Sequence, residues 1–217
     1  MKTQLTRQDH FFLILLSSIT LIWNTAVHAG GVPNQHNIAI NEVFYKGNAN
    51  EDWIELINRG SEAVDISGWL WCARFDYPSI EVSHILSGNN DLNLEPGEII
   101  ALSATIDLDD EASDLGLYVS GPFISTTNMV DFIQWGTSED IGRPDIAVSK
   151  TIWLEISEGV YDFVPTSTNT QSVSWCGSES GNNPLFTTSL DFYNGNQTQG
   201  LPNSLLNCDL IFHNGFE

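Results

Sequence analysis

The stretch from residue 38 to residue 69 constrains the fold of this chain more than any other part of it. Its apolar residues come in short runs, and each run ends at a polar turn instead of continuing with helical spacing. The turns lie at 47–50 and 58–60, where glycine and asparagine tolerate a positive φ. Val64 and Ile66 alternate with a polar residue, as in a half-buried strand. The pattern therefore predicts consecutive β-strands joined by reverse turns.

Short runs of the same kind follow along the chain, at 80–86, 98–103, 115–119, 129–135, 151–156, 161–164 and 172–175. This spacing is typical of an all-β sandwich, and no amphipathic helix of useful length is predicted. From Gly177 onward the chain is rich in Ser, Asn, Gly, Thr and Gln. That composition predicts an irregular C-terminal extension, and it leaves open whether the extension wraps over the sandwich or is only partly ordered.

Four motifs in order carry a family resemblance: Ile-x-Ile-Asn-Glu-Val at 38–43, Asp-Trp-Ile-Glu-Leu-x-Asn at 52–58, Val-Asp-Ile-Ser-Gly-Trp at 64–69 and Leu-x-Pro-Gly-Glu at 94–98. In this order and spacing the chain resembles the lamin tail domain, found in nuclear lamins and in exported bacterial proteins. Fainter similarity continues at 129–136 and at 199–203, where Gln199 stands in place of an expected proline. The resemblance implies an immunoglobulin-like β-sandwich, here over residues 37–205, in a family that mostly binds or scaffolds.

The two ends of the chain have the character of targeting segments. Lys2 and Arg7 precede an apolar core at 11–23, and small residues precede a cleavage point near Ala29. We therefore expect residues 1–29 to be a signal peptide, and the mature protein to be secreted, at the cell surface or in the periplasm. The tail at 206–217 ends in Ile-Phe-x-x-Gly-Phe-Glu, which resembles endings of exported Gram-negative proteins. A short terminal strand is the alternative for this tail.

The charge of the chain excludes some partners. The formal net charge is −21, and the mature part keeps as basic residues only Lys46, Arg59, Arg74, Arg143 and Lys150. Proteins that bind nucleic acid need a clustered basic surface, so we expect no nucleic-acid partner. Attraction to an anionic membrane is disfavoured for the same reason, and we expect no stable membrane insertion after cleavage. High acidity otherwise favours solubility.

The three cysteines are Cys72, Cys176 and Cys208. Export permits a disulfide, and an odd number leaves one thiol over. Loop-closure entropy does not separate the candidate pairings. We favour Cys176–Cys208, because both residues lie in the polar C-terminal region, and we expect Cys72 to be a buried thiol.

One candidate ion site and one candidate sugar site emerge from the residues. Asp107, Asp109 and Glu111 alternate, with Asp91 and Asp114 nearby, so their oxygens could converge on Ca²⁺. A solvated acidic loop without an ion is the alternative, because the EF-hand positions for Gly and Glu are not filled accordingly. Trp69 and Trp71 share one face of a strand. We expect them, and Trp53, in the sandwich core, with a sugar-stacking surface as the alternative for Trp71.

The sequence contains no recognisable catalytic constellation. There is no nucleophile elbow, no phosphate-binding loop and no paired His or Cys motif. We therefore predict a non-catalytic protein without a cofactor, which binds, adheres or scaffolds through an unidentified protein, cell-envelope or extracellular partner. The alternative is an accessory module for extracellular hydrolases or nucleases, with carbohydrate or Ca²⁺ binding.

Overall fold

The computed structural model describes residues 37–47, 51–177 and 187–203. These residues form an all-β sandwich of antiparallel sheets, as the short alternating runs predicted. In chain order the strands are β1 (Ile38–Phe44), β2 (Trp53–Asn58), β3 (Val64–Asp65), β4 (Leu70–Cys72), β5 (Ile85–Ser87), β6 (Asn93–Leu94), β7 (Ile99–Ser103), β8 (Ser113–Tyr118), β9 (Met129–Trp135), β10 (Glu155–Ser157), β11 (Val160–Tyr161), β12 (Gln171–Trp175) and β13 (Phe192–Asn196).

A short helix and two 3₁₀ turns complete the described structure. Helix α1 spans Pro144–Lys150, and the 3₁₀ turns span Ile80–Val82 and Ser189–Asp191. Proline at the first helical turn costs no hydrogen bond, and Thr151 ends the helix in the left-handed conformation. Within the part of the chain that is described, no helix is long and apolar enough to cross a membrane.

The larger sheet has six strands in the order β13-β12-β1-β2-β7-β5, and the second has three in the order β4-β8-β9. Two further two-stranded sheets pair β3 with β6 and β10 with β11. The two main sheets are joined by a hydrogen bond of 2.7 Å, in which the backbone N–H of Ile40 donates to the carboxylate of Asp131 on β9. Between them lies one apolar core, in which Tyr45 stacks on Trp135 with ring centroids 4.5 Å apart.

An irregularity in β1 sets which residues face that core. The register against β2 shifts between Ile40 and Glu42, which leaves Asn41 as an extra residue. Ile40 and Val43 therefore both lie in the core although three positions separate them, and Glu42 and Phe44 face the other side of the sheet. Phe44 packs there with Trp53 and Ala101 in a cluster separate from the core. Trp53 is thus buried, as predicted, and it belongs to this smaller apolar cluster instead of the main one between the sheets.

Several predicted strand boundaries are wrong. Residues 80–86 divide into a 3₁₀ turn and the start of β5, because Ser79 accepts the backbone N–H of Glu81 and caps a turn. Residues 151–156 follow a helix that the sequence analysis did not predict, and only the end of this run is extended. The predicted strand at 161–164 is limited to the end of β11 and an isolated parallel bridge between Trp135 and Val164.

The polar region after Gly177 contains a strand that the sequence analysis missed. Strand β13 (FYNGN) is rich in residues that rarely form strands, yet it pairs with β12 over five positions, from Gln171–Asn196 to Trp175–Phe192. Tertiary pairing therefore overrides the low intrinsic preference. The predicted signal peptide (1–29) and the predicted tail (206–217) lie outside the described residues.

Candidate functional site

A cleft of about 550 Å³ lies beside β13, the edge strand of the six-stranded sheet. We call it the β13 cleft. Its apolar lining consists of Phe163, Val164, Pro165, Leu190, Phe192 and Tyr193, and its polar lining of Ser189 and Asn194. Binding sites are typically concave and mostly apolar with a few fixed polar groups, and this cleft has that composition.

The two walls of the β13 cleft are anchored to different sheets. Val164 is held beside β9 by two backbone hydrogen bonds, with Gln134 and Gly136, each of 2.9 Å. The facing wall is β13 itself, which pairs with β12. Asn194 connects the walls, because its side-chain amide donates to the carbonyl of Pro165 over 2.9 Å. The cleft is therefore a preformed gap between two fixed elements.

Leu190 lies at the rim of the cleft and is 64% exposed. The 3₁₀ turn that carries it is closed by a reciprocal cap between Thr188 and Asp191, and Asp162 accepts the backbone N–H of Ser189 over 2.6 Å. Since both ends of the turn are fixed, Leu190 projects outward without a local route to burial. An exposed apolar side chain beside an apolar cleft is typical of a surface that contacts a partner.

The β13 cleft contains a buried polar atom that can still accept a hydrogen bond. The side-chain oxygen of Asn194 is buried and has no hydrogen-bond donor among the described residues. A buried acceptor without a donor costs about 1–3 kcal/mol, so a ligand with an N–H or O–H group at this point would gain a specific contact. The eight lining residues include no Asp, Glu, His, Lys or Cys. These residues can therefore hold an uncharged apolar group, and the described lining contains no acid–base pair.

A second polar feature is built from the motif residues themselves. Residues 198–203, which we call the strap, leave β13 and cross the outer face of the six-stranded sheet. Glu42 accepts from the backbone N–H and the hydroxyl of Thr198, at 2.9 and 2.6 Å, and from the hydroxyl of Ser172. Glu55 accepts from the backbone N–H of Gly200 over 2.6 Å. Both glutamates are fully buried.

Asn41 and Asn203 complete this network. Asn41 donates to the Glu55 carboxylate over 2.6 Å, and Asn203 donates to the backbone carbonyls of Asn41 and Trp175, at 2.9 and 2.7 Å. Sequence analysis quoted these residues as family motifs but assigned them no role. The missed signal was that Asn-Glu stands at a bulge in β1, which turns both polar side chains to one side of an otherwise apolar strand.

The acidic loop does not gather its carboxylates. Asp109 accepts the backbone N–H groups of Glu111 and Ala112 and forms an ion pair of 2.5 Å with Arg74. Hydrogen bonds and this cation hold the pKa of Asp109 below its usual range. Glu111 lies 3.6 Å from the ammonium group of Lys46.

Asp107 is exposed, and no group of three or more Asp, Glu, His or Cys residues in the described part of the chain could hold a metal ion. Of the two nearby carboxylates, Asp91 accepts the backbone N–H of Asn93, and Asp114 is buried between two loops. Calcium binding at Asp107, Asp109 and Glu111 stays a prediction, and two of these three carboxylates already have a protein cation.

The cysteines and the paired tryptophans lie in apolar surroundings. Cys72 is the free cysteine of the described residues, and burial raises the pKa of its thiol to about 12. Cys176 is buried against Tyr193. Cys208 lies outside the described residues, so the predicted Cys176–Cys208 pairing stays a prediction. Trp69 and Trp71 are 7% and 0% exposed and belong to the main core, which leaves no stacking surface on Trp71.

Comparisons with known proteins add no relative. No protein-family model matches the chain, and no match was found among curated proteins or among solved structures.

Proposed function

We propose that this chain is an exported, non-catalytic binding module of the lamin tail type, which holds a protein partner of the cell envelope in the β13 cleft. The observation that carries the proposal is the cleft itself, an apolar gap of about 550 Å³ beside a sheet edge with Leu190 exposed at its rim. A protein partner would place apolar side chains in the cleft and donate a hydrogen bond to Asn194.

Support for the lamin tail assignment comes from the strap network. Glu42, Glu55 and Asn203 belong to three separate parts of the family resemblance, and they share one set of hydrogen bonds. The strap network therefore offers one structural explanation for motif residues that stand far apart in the sequence. The immunoglobulin-like form of the sandwich and the export of the chain are parts of the same proposal.

The proposal is tested by the binding of labelled protein, produced without residues 1–29, to cell-envelope fractions of its own organism. We expect saturable binding that protease treatment of the envelope abolishes. Leu190→Arg should weaken this binding about tenfold, because it replaces an apolar contact at the rim of the cleft with a charged side chain. Ile124→Arg is the matched control, because Ile124 is 68% exposed and does not line the cleft.

Equal binding of Leu190→Arg and the parent protein would contradict the β13 cleft as the contact surface. Binding that survives protease but is competed by a purified glycan would instead favour the accessory role with a carbohydrate ligand. Absence of saturable binding would contradict both roles.

A further inference from the structure

The strap covers two glutamates that lie directly opposite each other on neighbouring strands. Glu42 on β1 is the cross-strand partner of Glu55 on β2, and both side chains face the strap. Like charges at opposed positions of a sheet destabilise it. A strap that excludes water from both carboxylates therefore strengthens their mutual repulsion whenever both are ionised.

No cation in the described part of the chain offsets this pair. Around Glu55 the side chains are Asn41 and Glu42 on β1, and its cross-strand partner on β7 is Ala101. Strand β12 contributes Ser172 and Ser174 beside Glu42, and the strap contributes Thr198, Gly200 and Asn203. Glu42 is the one charged group that acts on Glu55 among these elements. Among the described residues, the network thus consists of two carboxylates and a set of neutral donors.

The strap is also closely fitted to the sheet. Gly200 has a φ of +75°, and a Cβ at this position would lie 2.5 Å from the hydroxyl oxygen of Ser87 on β5. Glycine is therefore required both by the backbone conformation and by the close approach. Glu55 is fully buried while the strap lies this close to the sheet.

We propose that the strap is a pH-sensitive latch, which is closed at acid pH and opens more often as the pH rises to neutrality. The physical cause is that opening hydrates both carboxylates and thereby weakens the repulsion between Glu55 and Glu42. The latch connects to β13, the edge strand, through Gln197 alone, so opening also frees one end of that strand.

The sign follows from the protonation of Glu55. Burial is the largest cause of the raised pKa of Glu55, which is about 7 in the closed form, and the charge of Glu42 raises this pKa further. Hydrogen bonds from Gly200 and Asn41 act in the opposite direction and lower it. Once exposed, the group returns toward its ordinary pKa of 4.5. The closed form is therefore most stable below pH 4.5 and loses this stability as the pH rises through 7.

Amide hydrogen exchange of the full mature chain tests the latch at the backbone N–H groups of Thr198 and Gly200. After correction for intrinsic exchange, we expect the opening equilibrium constant to rise on the order of 50-fold between pH 5 and pH 8. Amides of β9, within the core, should not follow this profile. An opening constant that does not change with pH at these two amides overturns the proposal.

Glu55→Gln should make the opening constant independent of pH, because its side chain stays neutral. Glu98→Gln is the matched control, since Glu98 also accepts two backbone N–H groups, from Asn89 and Glu95, but is only partly buried. Retention of the parent pH profile in Glu55→Gln would overturn the proposal. Should this variant not fold, the pH series of the parent protein decides alone. None of these readouts depends on the ligand of the β13 cleft.

Discussion

Glu42 and Glu55 lie fully buried under the strap, whereas Asp107, Asp110 and Glu111 in the acidic loop are exposed to solvent. The buried pair is stabilised by five or more donors from neighbouring segments, and the loop carboxylates by water and two cations. Burying an ionised carboxylate costs several kcal/mol unless hydrogen bonds replace its hydration. The density of acidic residues along the chain therefore does not indicate which carboxylates contribute to the stability of the fold.

Asp114 sharpens this contrast because it follows the acidic loop directly but belongs with the buried carboxylates. It is 0% exposed and accepts the backbone N–H groups of Arg74 and Arg143, at 2.7 and 2.8 Å. Burial raises the pKa of Asp114 despite these bonds. One carboxylate thus holds two loops, including a turn in which Arg74 and Phe75 have positive φ.

The largest effect is expected from Asp114→Ala, which removes a buried carboxylate and the acceptor of two backbone N–H groups. We expect a loss of about 3 kcal/mol in the free energy of unfolding. Urea denaturation measures the loss, and Asp110→Ala in the exposed loop should change stability by less than about 0.5 kcal/mol. Equal losses in the two variants would remove the distinction between buried and exposed carboxylates.

A smaller effect is expected at Asp52, a half-buried residue between the two classes. Burial first, and then the charges of Asp110, Asp107 and Glu51, raise the pKa of Asp52 to about 6, against a lowering hydrogen bond from Gly47. Its folded pKa is above the ordinary value of 3.8, so its stabilising contribution is lost as the pH rises from 3.8 through 6.

Asp52→Asn should therefore raise Tm by about 2 °C at pH 8 and leave it unchanged near pH 3.5. The exposed Glu139→Gln variant controls for net charge. A gain in Tm that is the same at both pH values would show that the substitution acts through packing, and not through titration of Asp52.

The smallest effect is expected from calcium. Asp109 and Glu111 are paired with Arg74 and Lys46, so a calcium ion would have to displace these cations. We expect Tm with excess calcium and Tm with chelator to agree within about 1 °C. A rise in Tm with calcium that disappears in Asp107→Asn would restore the ion site and would make the acidic loop functional.

Strands with strong alternation were predictable from the sequence, and those set by pairing alone were not. Strand β9 was predicted with its observed bounds, because Met129–Trp135 is apolar over most of its length and rich in β-branched and aromatic residues. Strand β13 was missed, since Asn194, Gly195 and Asn196 favour turns. Helix α1 was missed because seven residues are too short to show helical periodicity.

The β13 cleft could not be predicted from the sequence, for a similar reason. Phe163 and Phe192 are almost thirty positions apart, and no local pattern indicates that their segments lie side by side. The strap was closer to prediction, because its glutamates and asparagines stand inside the quoted motifs. Their joint role required the bulge in β1, which alternation alone does not reveal.

The sequence by itself determined the all-β class, the acidic charge and most strands of the two sheets, because strand alternation and turn chemistry are local properties. Only the tertiary structure decided which carboxylates are buried, where the β13 cleft opens and what the strap covers. These features depend on contacts between residues up to about 160 positions apart, such as Asn203 with Asn41. Burial and hydrogen-bond partners, which set the energetics of a carboxylate, arise from such contacts and not from neighbours in the chain.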